Sequence, residues 1–471
     1  MKKHLLPLVC AFLSTLPLLT PQAQARPSLK NLRYEENWLE LKSPAANPEF
    51  WDSLKYIPFS EDGQIYLSLG GSWRIRAEGW SGYDFKPDQN AIFALNQWRL
   101  HADFHATDFF RLYLEGISAL GTPRNLPGGI ADNLPTGLRS IDLDSLDLQN
   151  AFLDLKYTWA PDSYVLLRPG RQEMDLGKQR LISSLVWVNT RRTFDAISLI
   201  GQTHGWNLRG LYAQLVKSQP WNLNLSDAGT SVYGLYATGP LPFDNWNSDL
   251  YWLGLHKSKT SYQAIEAQED RQTLGLRLNG KLPWGFELDT EGAYQLGSFG
   301  DQAISAGFAA LDLGYKPDLP WKPRLGLGLD YASGDGSSSD KSLNTFNQLF
   351  PLGHAYYGYA DQIGRQNAIG LKGSLSAQPL PELNLALDGH AFWRASTQDD
   401  VYGVAGNVTR KATTGSDAYL GFEADLIATW KWDAHFQTQA GLSLFLPGSF
   451  YSQGGTSALM TFGYLQSQYS F

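Results

Sequence analysis

Arg74, Arg76, Arg99, Arg111 and Arg168 each fall on the polar side of a segment that alternates polar and apolar residues, and Arg394 joins them further along. A guanidinium is always charged and offers a rigid fork of donors, so a group of them suits the binding and selection of carboxylates. Acids stand on the same sides: Glu78, Asp103, Glu115, Glu287, Asp289, Glu291, Glu423 and Asp425. Basic residues outnumber acids over the first five segments, while Glu287, Asp289 and Glu291 line up on one later segment. That separation predicts a transverse field, a positive wall facing a negative one, able to orient charged solutes. The competing reading is that the charges pair locally and only solvate a polar wall.

Covalent and metal chemistry lack such a pattern. His101, His105, His256, His390 and His435 fall on the polar sides, but no serine–histidine spacing stands out; His204 and His354 fall in turns or loops. No metal-ligand spacing, phosphate-cradling glycine loop or catalytic elbow occurs. The chain is therefore read as a non-enzyme, with no catalytic residue, no cofactor and no metal. Nucleic acid is not expected as a partner, because the chain carries 38 basic against 46 acidic residues.

The element that must position these charges is an extended strand of unusual length. In residues 64–78, Ile65, Leu67, Leu69, Gly71, Trp73, Ile75 and Ala77 share one face, and Arg74, Arg76 and Glu78 share the other. A strand with lipid on one side and a watery lumen on the other has this pattern. No apolar run beyond residue 25 is long enough for a membrane helix, yet Gly, Tyr, Phe and Trp are abundant. The fold class expected is all-β: a membrane-spanning, antiparallel up-and-down barrel.

Residues 1–25 read as a signal peptide, with Lys2 and Lys3 ahead of an apolar run and Ala23-Gln24-Ala25 as the cleavage site. Cleavage removes the only cysteine, Cys10, and with it any disulfide or thiolate site. Loss of Lys2 and Lys3 leaves 36 basic residues against 46 acidic and takes the formal charge from −8 to −10. Arg33-Tyr34-Glu35-Glu36-Asn37-Trp38 is too polar for a lipid-facing strand, and residues 26–60 are expected as a periplasmic or barrel-mouth segment. Residues 61–471 form the barrel. Eighteen segments read as strands, from 64–79 and 93–106 at the start to 434–446 and 456–471 at the end. Gaps between them alternate long and short, as expected for long external loops and tight periplasmic turns. Among the long gaps are 121–148, 173–193, 258–270, 334–366 and 395–416. Tyr469-Ser470-Phe471 is an ending common among clients of the outer-membrane assembly machinery.

Specific motifs sharpen this. Leu166-Leu167-Arg168-Pro169-Gly170-Arg171-Gln172-Glu173, Gly177-Lys178-Gln179-Arg180-Leu181 and Asn189-Thr190-Arg191-Arg192-Thr193-Phe194-Asp195 resemble the alginate export porin family. So do Phe346-Asn347-Gln348-Leu349-Phe350-Pro351, Tyr356-Tyr357-Gly358, His390-Ala391-Phe392-Trp393-Arg394, Gly421-Phe422-Glu423-Ala424-Asp425-Leu426 and Phe445-Leu446-Pro447-Gly448. The resemblance implies a monomeric barrel of eighteen strands in outer-membrane lipid. It would pass an anionic polysaccharide or a small anionic solute through an arginine-rich constriction, in concert with periplasmic export components. It also brings in Arg171 as a pore residue. Simple alternation places Arg171 on the lipid side, so either a bulge at Pro169-Gly170 or a position above the membrane is expected. The lumen reads as balanced in charge where the family implies an electropositive pore. The turn at Lys431-Trp432-Asp433-Ala434 is tight where the family implies a long, plugging one. A small-solute uptake porin with a mixed-charge lumen is the alternative.

Overall fold

The structure, a computed structural model, describes residues 27–43, 48–124, 126, 137–337 and 339–471. The signal peptide and its cleavage site lie outside the described residues. In chain order the long strands are β1 (Ile65–Ser81), β2 (Ala91–Ala106), β3 (Phe110–Gly121), β4 (Asp144–Ala160), β5 (Ser163–Gln172), β6 (Phe194–Thr203), β7 (Trp206–Lys217), β8 (Leu225–Pro240) and β9 (Trp246–Tyr262). They continue as β10 (Ile265–Lys281), β11 (Phe286–Phe299), β12 (Gln302–Tyr315), β13 (Arg324–Ala332), β14 (Ala368–Leu380), β15 (Leu383–Trp393), β16 (Tyr419–Lys431), β17 (Phe436–Pro447) and β18 (Met460–Ser470). Each pairs antiparallel with its successor, and β18 returns to β1 with Ser470 opposite Ser72 and Thr461 opposite Ser81. The result is a closed barrel of eighteen strands without a free edge.

Alternation builds the wall. On β1, Trp73 and Ile75 are exposed, whereas Arg74, Arg76 and Glu78 are buried inside. On β13, Leu325, Leu327 and Leu329 are exposed while Asp330 points inward to Tyr357 and Arg365. Outward leucines of this kind are stable only in hydrocarbon, where each gains roughly 1.5–3 kcal/mol over exposure to water.

The turns at one end are tight, as at residues 161–162 and 381–382, and this end faces the periplasm in outer-membrane barrels. Loops at the other end are mostly long. The expected long gap at 258–270 is a correction: β9 and β10 run on as a hairpin closed at Gln263 and Ala264, with Lys259 paired to Glu266 outside. Ser, Thr, Lys and Glu make this stretch look like a loop, but a strand pair that leaves the membrane is polar on both faces.

Residues 27–43 and 48–60 are held against the barrel. Short 3-10 turns at Arg33–Glu35 and Leu39–Lys42 lead to a single helical turn at Asp52–Lys55 and a two-residue strand, Ile57–Pro58. That strand pairs with Leu67 and Tyr66 of β1, in the stretch of β1 that β18 does not reach.

Candidate functional site

Two external loops fold into the lumen and meet there. In loop 173–193, the Asn189 side-chain amide donates to the carbonyls of Asn96, Leu120 and Asp142, tying the loop to β2, β3 and the loop before β4. In loop 333–367, the backbone N–H groups of Phe350 and Leu352 donate to the carbonyls of Leu181 and Gln179, and the Tyr356 hydroxyl donates to the Lys178 carbonyl. Arg192 clasps the pair by donating to Phe350 O at 2.6 Å. Beneath them Met174, Leu181, Ile182, Phe346 and Phe350 pack on Phe194 and Phe308 from the wall. Part of the interior is thus a dry apolar core, and the pathway runs beside it.

The arginines divide by the kind of partner each has. Arg99 pairs with Glu115 at 2.6 Å and Glu173 at 3.1 Å, Arg111 with Asp103 at 2.7 Å, and Arg168 with Asp154 at 2.7 Å. Arg76 pairs with Glu78 at 2.8 Å and lies 4.0 Å from the centre of the Trp187 ring. Among the described residues Arg74 has no carboxylate partner: its donors go to the carbonyls of Val186 and Val188, both at 2.8 Å. The expected positive wall is therefore corrected to a mostly neutralised one. Guanidiniums this buried need hydrogen-bonded counter-charges, and neighbouring strands supply them.

The acidic wall is neutralised in the same way. Glu287 meets Arg324 at 2.6 Å, Asp289 meets Arg277 and Arg180, and Glu291 meets Arg180 at 2.8 Å. The loop residue Arg180 could not have been assigned to this wall from its spacing. Glu423 and Asp425 differ: both are buried, Glu423 accepts from the Ala360 N–H, and His390 lies 3.5 Å from Asp425.

Two expected pore residues are elsewhere. Arg171 sits on the outer face at the external end of β5, paired with Asp195 at 2.8 Å and Asp147 at 3.1 Å. No bulge occurs at Pro169-Gly170, since the register against β6 is continuous, and Arg171 keeps the outer face that alternation gives it. Arg394 gives its donors to the carbonyls of Thr397, Asp399, Ser416 and Asp417, so it organises loop 394–418 instead of facing a solute. Sequence reasoning missed Glu173, which gathers Arg99, Arg191, Gln149 and Asn150 about one buried carboxylate. Burial alone would raise its pKa, but Arg191 and Arg99 hold it below the usual carboxylate value. Its place in a family-like motif was the available signal.

Among the described residues two cavities stand out, and residues 352–359 contribute to the lining of both. One, of about 320 Å³, is lined by Lys178, Arg180, Arg324 and Lys372 together with Glu287, Asp289, Asp312 and Asp330, and by Tyr356, Tyr357 and His390. The other, of about 270 Å³, is lined by Lys30, Arg33, Arg74, Arg99 and Arg191 and by Gln97, Gln437, Gln439, Gln466 and Gln468. No carboxylate lines it, and Trp187, His354 and Tyr359 complete it.

A closed barrel with a lipid-facing belt and a polar, loop-narrowed lumen defines an outer-membrane porin. The chain belongs to the alginate export family, whose model matches residues 65–464. Among solved structures it is similar to OpdO of Pseudomonas aeruginosa at 13% identity and a TM-score of 0.54, covering 86% of this chain and 97% of that one. It is also similar to OccD3 (OpdP) of the same organism, at 12% identity and a TM-score of 0.56, with 89% and 93% covered. For the outer membrane protein OprD of that organism the figures are 10%, 0.55, 89% and 96%. At these identities the likeness is one of fold. A search of curated proteins gives no match.

Proposed function

We propose that this outer-membrane channel passes an anionic saccharide, polymer or oligosaccharide, along the closure seam between β18 and β1. The observation that carries this reading is the cavity with five cations and no carboxylate in its lining. Several of those cations are neutralised from behind, but among the described residues Arg74 is satisfied by carbonyls and has no carboxylate partner. The five glutamines offer paired donors and acceptors suited to hydroxyl groups. Family membership supports the substrate class. We propose a monomer, inserted by the outer-membrane assembly machinery and served by periplasmic export components, with no catalytic role for any residue.

The test is reversal potential in a planar bilayer under a salt gradient, wild type against Arg74→Ala/Arg76→Ala. Anion preference in the wild type, reduced in the double variant, is the expected result. A cation-selective wild type, or unchanged selectivity, favours the second reading: a small-solute uptake porin. The other cavity supports that reading, because four cations and four carboxylates share its lining.

A further inference from the structure

We propose that residues 27–43 and 48–60 are a displaceable stopper, seated in the periplasmic half of the lumen and in competition with the solute for the arginines that hold it.

The seat is built from inward-facing groups of the barrel. Arg33 is buried, paired with Glu36 at 2.5 Å, and donates to Gly71 O on β1 at 2.8 Å and to Phe471 O just beyond β18 at 2.7 Å. Tyr34 sets its ring edge-on against Tyr113 and Phe152, at 5.8 and 5.2 Å between centroids, and its hydroxyl donates to Glu173 O at 2.7 Å. Trp51 stacks on Phe471 at 4.2 Å. Lys55 is buried beside Gly70, where a Cβ would come within 2.4 Å of Nζ, so the glycine makes room for the lysine. These contacts place Lys30, Asn31 and Arg33 in the lining of the basic cavity, across the way a solute would take between periplasm and loops.

The seat is also reversible in kind. Hydrogen bonds and aromatic edges hold residues 27–43, whose ion pairs Arg33–Glu36 and Lys30–Glu35 lie within the segment itself, and the large apolar side chains it buries are Leu32, Tyr34 and Trp38. Among the described residues the segment's strand pairing with the sheet is the two-residue strand at Ile57–Pro58, to which Trp51–Tyr469 and Glu49–His435 add side-chain contacts, and Gly63 (φ +64°) follows it. Residues 72–80 are paired with β18 as well as with β2, and residues 65–71 keep their pairing with β2, so the segment can leave without opening the closure seam.

Carbonyl oxygens of the segment occupy donors that a carboxylate would prefer. Arg111 donates to Tyr34 O at 2.6 Å, and Arg99 and Arg191 donate to Asn31 O at 3.5 and 3.3 Å. A charged oxygen makes a stronger hydrogen bond with a guanidinium than a neutral carbonyl does, so an anionic solute at these three arginines weakens the seat. This competition rests on the anionic-saccharide reading, whereas the stopper rests on the barrel alone.

Single-channel recording of the full chain in potassium chloride separates the two. Arg33→Ala/Tyr34→Ala is expected to conduct about twofold more than wild type, since a wider aqueous path carries more ions. A folded double variant with wild-type conductance overturns the stopper. Should it fail to fold, because Arg33 also ties the seam, Tyr34→Ala alone serves, its ring lying against β3 and β4. A uronic-acid trisaccharide added to the periplasmic side of wild type is expected to raise severalfold the time spent at the higher level. Block without that rise overturns the competition but leaves the anion reading standing. No response at all sinks the anion reading while the stopper stands on its own variant.

Discussion

The two cavities contain nearly the same number of cations and differ in what neutralises them. In the cavity of about 320 Å³, Arg324 and Arg180 meet carboxylates that line the same space, so a solute there faces both signs. In the cavity of about 270 Å³, the acids that satisfy Arg33, Arg99 and Arg191 are Glu36, Glu115 and Glu173, none of which lines the space. Among the described residues Arg74 has only carbonyls. The lesson is that counting arginines does not give a field. A guanidinium satisfied by carboxylates contributes a dipole pointing towards its unpaired side, and one satisfied by carbonyls contributes its whole charge.

Removing the acid that stands behind the basic cavity is the severest way to break this contrast. Glu173→Gln leaves Arg99 and Arg191 short of a buried counter-charge, a loss of about 3–5 kcal/mol in stability. Heat-modifiability on gels should report a lower unfolding temperature, and loop 173–193 should become open to proteases. The wild-type dependence on pH follows from the same pairing. Because the folded pKa of Glu173 is depressed, its contribution is present above the ordinary glutamate pKa of 4.5 and is lost as pH falls through the folded value. Unchanged thermal stability in Glu173→Gln would show that Arg99 is served by Glu115 alone.

Much of the barrel was legible in the sequence, because a lipid-facing strand forces period-two alternation onto every segment. Eighteen strands, the closure and the inward parity of Arg74, Arg99 and Glu115 all follow from that one rule. What alternation does not encode is the interior filling. Arg180, Arg191 and Glu173 lie in loops, where spacing says nothing about direction, and loop 173–193 turns inward only because Asn189 finds three carbonyls on the wall. Arg394 has the right parity but stands at the strand's end, where loop carbonyls reach it first. Partner choice also needs three dimensions. Arg168 meets Asp154 across a strand pair, as sequence could suggest, but Arg180 meets Asp289 from 109 residues away.

A milder test acts on the seated segment. Burial pushes the Lys55 pKa down to about 7; Arg33 adds to the shift, and Glu36 and Asp103 oppose it. The seated segment therefore holds fewer protons than the free one between about pH 7 and the ordinary lysine value of 10.5. Seating strengthens as pH rises across that window and is weakest, and constant, below it. Proteolysis of residues 27–60 in the folded barrel should be slower at pH 9 than at pH 7. Lys55→Met should abolish the difference, and a difference that survives would show that Lys55 does not set it.

The smallest effect expected sharpens the comparison from the other cavity. Lys178 is the cation there that has no carboxylate partner among the described residues, and it is exposed. Its backbone carbonyl holds the Tyr356 hydroxyl, so truncating the side chain leaves the junction of the two loops in place. Lys178→Ala turns four cations against four carboxylates into three against four, and the space should tilt towards cations. The tilt is slight, because an exposed charge is screened over about 10 Å at 0.1 M salt. Reversal potential should move towards cation preference by less than in Arg74→Ala/Arg76→Ala, and the shift should vanish at high salt. If Lys178→Ala instead moved selectivity as far as the arginine variant, the balanced cavity and not the basic one would be setting the selectivity of the channel.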